Sequence, residues 1–349
     1  MNFIKVCRIE VDVVRKSLLL LLLASLLFLI SCSKLGNDGK DSDKTSKGTF
    51  PLTGIKAEEG ADRRIVSVMI NNHPAARPQS GLSQADIVFE MLAEGNMTRF
   101  LAFFQSEQPE VVGPVRSARE YYFDLAEGYD ALYVYHGAAK FINAMINDRQ
   151  IEYLNGALHD NDGYLFKRES FREAPHNSYL QYNSVYEEAE AKGYESTKAV
   201  EPLPFLAEEE TNDGDPAHHI TISYEGKSPE NAIEYVYDEQ TEKLIRYEDQ
   251  EQTVELNTEV PVEVDNLFIV EAHHEVIDDE GRRDIDLQSG GNAYLIQKGH
   301  LQKVEWKNEE GRIIPVIDGQ PIGFLQGKTW VNVVPSTPGL EQSITITNE

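Results

Sequence analysis

An apolar run from Leu18 to Ile30, 13 residues long and free of charge, decides which part of this chain can fold. As a helix it would rise about 20 Å, short of the roughly 30 Å hydrocarbon layer of a bilayer, so a permanent span is the weaker reading. Lys5, Arg8, Arg15 and Lys16 precede the run, with Glu10 and Asp12 among them, and the small residue Ser31 follows it. Basic flank, short apolar core and small residue in that order form a signal-peptide pattern over residues 1–31. The two cysteines fall at Cys7, inside that segment, and at Cys32, directly after it. The remainder therefore has no disulfide, and its fold must rest on its apolar core alone.

Leu29-Ile30-Ser31-Cys32 resembles the cleavage site of a bacterial lipoprotein precursor: a branched apolar residue, a small residue, and the cysteine that becomes the acylated first residue. The resemblance implies lipidation of Cys32, a cysteine with no thiol left for catalysis or metal, and anchoring on the extracytoplasmic face of the cell membrane. Residues 33–62 are mostly Gly, Ser, Lys, Asp and Thr, and too few of them are apolar to repay the entropy of ordering. Residues 32–62 are thus expected to form a flexible tether.

Loss of residues 1–31 removes four basic and two acidic side chains, leaving 28 Lys and Arg against 57 Asp and Glu. A surface with that excess repels nucleic acid and anionic lipid, whose binding draws on Lys and Arg. Nucleic acid is excluded as a partner, and attachment to the membrane falls to the acyl chains on Cys32.

Hydrophobic periodicity divides the rest. Ile65–Ile70 reads as a strand, and 86–94 as another, with Ile87, Phe89, Met91 and Ala93 on one face and Asp86, Glu90 and Glu94 on the other. Gly95-Asn96 turns the chain into a third strand, 98–104. Ser117-Ala-Arg-Glu120 has the spacing of a capping box and predicts a helix to about Glu127; a strand at 131–135 and helices at 138–146 and 184–193 follow. Beyond a charged, turn-rich linker at 201–216, short strands dominate: 218–224, 234–237, 243–247, 266–276, 292–297, 304–307 and 330–334. The expected class is α+β or α/β. A mixed domain at 63–200, with helices on a sheet, precedes a smaller, mainly β domain at 217–335 and a tail at 336–349.

Met69-Ile-Asn-Asn-His73-Pro-Ala-Ala-Arg77-Pro-Gln-Ser-Gly81, Glu94-Gly-Asn-Met-Thr98-Arg99-Phe, Val112-Gly-Pro-Val-Arg116-Ser-Ala-Arg119 and Pro175-His-Asn-Ser178 resemble the YerB-like lipoproteins of Gram-positive bacteria. The resemblance runs over roughly residues 64 to 335 and implies a larger first domain and a smaller second one. It carries no reaction with it.

No phosphate-binding glycine loop, metalloprotease helix, nucleophile elbow or calcium loop is present. Arg116 and Arg119 flank Ser117 at the predicted helix start, where cations oppose the dipole. Either Asp86, Glu90 or Glu94 pairs with them internally, or they grip an anion together with Ser117, with Arg77 and Arg99 on the rim. His73, His136 and His176 are the residues that could hold zinc, although none has ligand-like spacing. Glu90, His136 and His176 are the acid and histidines that a cell-wall-modifying hydrolase would need. The favoured reading is a noncatalytic binding or scaffolding protein of the envelope, whose partner is an anionic wall component or another envelope protein.

Overall fold

The computed structural model describes residues 48–207, 210, 214–226 and 232–348. The expected signal segment, Cys32 and most of the charged stretch from Glu208 to Asp215 lie outside the described residues. Those that remain are strand-rich with few helices, an α+β arrangement whose second part is mainly β.

Five strands come from the first part: β1 (Val66–Asn71), β2 (Ile87–Glu94), β3 (Met97–Phe104), β4 (Leu132–Tyr135) and β5 (Tyr153–Asn155). Five more come from the second: β6 (Asn266–Ala272), β7 (Gly291–Gln297), β8 (His300–Glu309), β9 (Arg312–Ile317) and β10 (Thr329–Pro335). Among the described residues these build one sheet in the order β9-β8-β7-β6-β10-β2-β3-β1-β4-β5. The two parts meet where β2 runs parallel to β10, with Ile87 opposite Thr329 and Met91 opposite Val333. The two domains expected from sequence therefore share a sheet.

Alternation along the strands sends side chains to two cores. On one face Phe89, Met91, Leu101 and Val331 pack with Tyr121, Phe123 and Leu125 of α1 (Glu120–Gly128) and with Ile142 and Ile146 of α2 (Lys140–Asp148). On the other, Val88, Leu92, Phe100 and Trp330 pack with Ile220, Ile233, Tyr235 and Leu244 of a second, smaller sheet. The expected alternation in β2 holds as far as Leu92; there the register shifts, and Glu94 leaves the face of Asp86 and Glu90 to pair with Arg99 and Arg119. Asp86 and Glu90 are fully buried, because β2 is an interior strand with the second sheet over that face.

Three boundaries are corrected. The tether ends earlier than residue 62, since Phe50, Leu52 and Thr53 are buried, and Gly327 N–H donates to Thr53 O and Leu203 N–H to Pro51 O. The linker at 201–216 is partly structural: Leu203 is buried and Phe324 N–H donates to Pro204 O. The tail contains the short helix Leu340–Ser343 and the strand Ile344–Thr347, which pairs with His219–Ile222 in the second sheet. In each case apolar residues too sparse to give a periodic signal find partners far away in the chain.

Candidate functional site: a basic crevice at the ends of parallel strands

β1, β4 and β5 are parallel, and the chain leaves all three at the same edge of the sheet. In open α/β sheets the loops outside the carboxyl ends of parallel strands are where functional residues gather. Here that edge carries Asn71 and His73 after β1, His136 and Gly137 after β4, and Gly156 after β5. The segment Val115–Ala118 is strapped across it in extended form. Val115 N–H donates to Ser178 O, Arg116 N–H to Met69 O, Ala118 N–H to Gly137 O, and His136 N–H to Arg116 O.

These bonds overturn the capping-box expectation. With 115–118 held between β1, β4 and Ser178, Ser117 cannot cap a helix. The helix α1 begins at Glu120, with Arg119 in the cap position and no side-chain cap bond. Ser117 instead gives its carbonyl to Arg99 Nη1 at 3.1 Å.

The five residues expected to grip an anion separate into three environments. Arg99 and Arg119 are both buried on Glu94, the first at 2.6 Å, so for these two the internal ion pair is realised. Arg77 belongs elsewhere, pairing with Glu248 at 2.5 Å and Asp249 at 2.7 Å beside the second sheet. Arg116 remains. Its half-buried guanidinium has no hydrogen bond or ion pair among the described residues, and its Nε is buried without a partner. Burial, aided by the charge of Arg99, pushes it down to about 10, so it stays cationic at neutral pH.

Histidines surround it. His176 stacks on His73 with ring centroids 4.4 Å apart. The Asn71 amide is oriented by accepting from His73 N–H, so its Nδ2 donates to His176 Nδ1 at 2.8 Å. That places the His176 proton on Nε2, which has no acceptor among the described residues. His73 Nδ1 accepts from Ala75 N–H, leaving its Nε2–H free as well. Burial, then the charges of His73, Arg116 and Arg172, hold His176 below the usual histidine range. Burial, then Arg168 and Arg116, with Asp160 opposing, do the same to His136.

His136 Nδ1 lies 2.8 Å from Ser178 Oγ and its Nε2 lies 3.3 Å from Arg168 Nη2. An arginine N–H can only donate, so the ring proton sits on Nδ1 and is given to the serine. A histidine in that tautomer cannot deprotonate Ser178. Gly156 makes room for this ring, because a Cβ there would lie 2.5 Å from His136 Nδ1.

The other sequence candidates are not brought together. Glu90 is buried under Arg246, with Thr98, Trp330 and Arg246 all donating to its carboxylate. It is out of reach of both His136 and solvent, so the acid-and-histidine pair is not assembled. Among the described residues no group of three or more His, Cys, Asp and Glu is placed to hold a metal ion. His73 and His176 meet as a stacked pair while His136 is engaged by Ser178 and Arg168, so the three do not form a zinc centre.

Sequence reasoning missed Asn71, which fixes the His176 tautomer, and Arg172, which donates to Ala76 O, Pro78 O and Tyr179 Oη and meets no carboxylate of the described residues within ion-pair distance. The paired polar residues of Asn71-Asn72-His73-Pro74 at a strand end were the available signal for the first. Nothing local marked the second.

Models of the DUF3048 family, described as a protein of unknown function, match this chain with their N-terminal domain over residues 52–195 and their C-terminal domain over 220–331. The chain belongs to that family. It is 46% identical over 313 residues to YerB of Bacillus subtilis (strain 168), whose name marks it as a candidate lipoprotein; the match covers 88% of this chain and 91% of that protein. The crystal structure of the Bacillus subtilis YerB protein superposes with a TM-score of 0.78 at 45% identity, covering 86% of this chain and 99% of that one. The family's N-terminal region holds the whole basic crevice, and its C-terminal region supplies β6 to β9 and most of the second sheet.

Proposed function

We propose that this protein is a lipid-anchored, noncatalytic binding protein of the cell envelope, held at the extracytoplasmic face through Cys32, and that it recognises an anionic wall component in the crevice around Arg116. The observation that carries the reading is the half-buried, unpartnered Arg116 guanidinium, in a chain where acidic groups far outnumber basic ones. A half-buried cation without a counter-charge carries part of the desolvation cost, and an anionic ligand is the simplest group to offset it. The kinship to a candidate lipoprotein and the position of the cluster at the carboxyl ends of parallel strands support it.

Co-sedimentation with purified cell walls tests the reading. Wild-type protein pellets with the walls, Arg116→Ala stays in the supernatant at least tenfold more, and neither saccharide nor peptide is released. Release of wall fragments by the wild type, abolished by His136→Ala, would replace binding with hydrolysis.

A further inference from the structure

From the charge count of the crevice, and resting on the anion-binding reading above, we infer that the group recognised is a phosphate monoester carrying two negative charges, not a single carboxylate or a phosphodiester. Arg99 and Arg119 share the one carboxylate of Glu94, while Arg116, within electrostatic reach of Arg99, has no ion pair among the described residues. Arg116 is thus one cation without a counter-charge, and Arg172, bonded among the described residues only to neutral oxygens, is a second on the other side of His176. Arg168 does not enter the count, because Asp160 holds it at 2.6 Å.

A carboxylate or a diester brings one negative charge, which leaves either Arg116 or Arg172 without a counter-charge in a partly desolvated site. A monoester near neutral pH brings about two, together with three terminal oxygens. The donors suit that group. Arg116 offers its unengaged N–H groups, and the stacked imidazoles of His73 and His176 each keep an Nε2–H without an acceptor among the described residues. Charge-assisted bonds from a guanidinium to phosphate oxygens are the strong members of their class, so a compact set of such donors selects for a compact, highly charged acceptor. The same chemistry is presented by a soluble phosphorylated polyol or sugar and by the headgroup of phosphatidate.

Titration calorimetry on the full-length chain in a non-ionic detergent decides the matter, with glycerol 3-phosphate, dihexanoyl phosphatidate, dimethyl phosphate and acetate as probes. Glycerol 3-phosphate is expected to bind at least tenfold more tightly than dimethyl phosphate or acetate. Phosphatidate binding as well as glycerol 3-phosphate shows that the headgroup alone is read; markedly tighter binding assigns the source to lipid. Arg116→Ala should weaken the monoester at least tenfold. Arg116→Lys, which keeps the charge and loses the fork, and His176→Gln should each weaken it severalfold while the thermal transition stays within a few degrees, so the test stands even where the alanine variant folds poorly. Acetate or dimethyl phosphate binding as tightly as the monoester, and lost in the Arg116 variants, would overturn the monoester assignment while leaving the anion site in place. Monoester binding unchanged in all three variants, or absent from the wild type along with every other probe, would overturn both.

Discussion

At the level of single residues, the clearest stability determinant is the buried group around Glu90. Its carboxylate receives Arg246 Nη2 at 3.1 Å, Thr98 Oγ1 at 2.9 Å and Trp330 Nε1 at 3.0 Å, while Arg246 also meets Glu248 at 2.8 Å and lies over the Trp330 ring at 4.8 Å. Burial raises the Glu90 carboxyl against the pull of Arg246. Glu90→Gln turns one acceptor oxygen into a donor facing other donors and removes a counter-charge, and it should cost about 3 kcal/mol in urea unfolding. His274 gives a second prediction, in pH. Both its ring nitrogens are buried without a partner, and burial, with the charges of Arg283 and His273, pushes it down to about 3 from its ordinary 6.5. The unfolded chain binds this proton first, so the stability contributed by a neutral His274 is complete above pH 6.5 and declines as the pH falls toward 3. Thermal melts of His274→Phe should show an acid limb flatter by on the order of 2 kcal/mol between pH 7 and 4.5.

Among the elements, what could be read from sequence was whatever depends on neighbours in the chain. The alternation of Ile87, Phe89, Met91 and Ala93 located β2, and the turn at Gly95-Asn96 its partner β3, because both signals are local. The start of α1 could not be read, since the bonds holding 115–118 extended come from Met69, Gly137 and Ser178. Arg116 and the three histidines were each recognisable as candidates. Their sorting into a free cation, a stacked pair and a serine-bound ring depends on strand order, which composition does not encode. Strand order also carries a prediction. β2 is paired on one side only by β10, so a chain of residues 48–207 would expose an eight-residue interior strand, with buried side chains on both faces, as a sheet edge. Expressed alone that segment should aggregate, and co-expression with residues 214–349 should return soluble material by size-exclusion chromatography. Soluble, cooperatively melting 48–207 would show that the seam is dispensable.

On the scale of the whole molecule, the expected anchor and the folded body answer to different tests. Cys32→Ser should abolish metabolic lipid labelling and leave the precursor uncleaved on gels, without altering glycerol 3-phosphate affinity, because the crevice is built entirely from residues beyond the expected tether. Normal labelling of that variant would remove the anchor. The position of β10 in the sheet sets a further condition, one of timing. The central strand that joins the halves is among the last parts of the chain to be made, with residues 329–335 inserting between strands that begin at 87 and 266. A chain that emerges amino terminus first can assemble β1, β2 and β3 early, yet must keep an open, apolar edge while the roughly 230 residues between Phe104 and Pro335 appear. Closure is thus a late event of high contact order. A chain halted even a few residues short of Thr329 would be left as two unsealed half-sheets, so proteases that survey newly emerged chains would meet any truncated copy before it could fold.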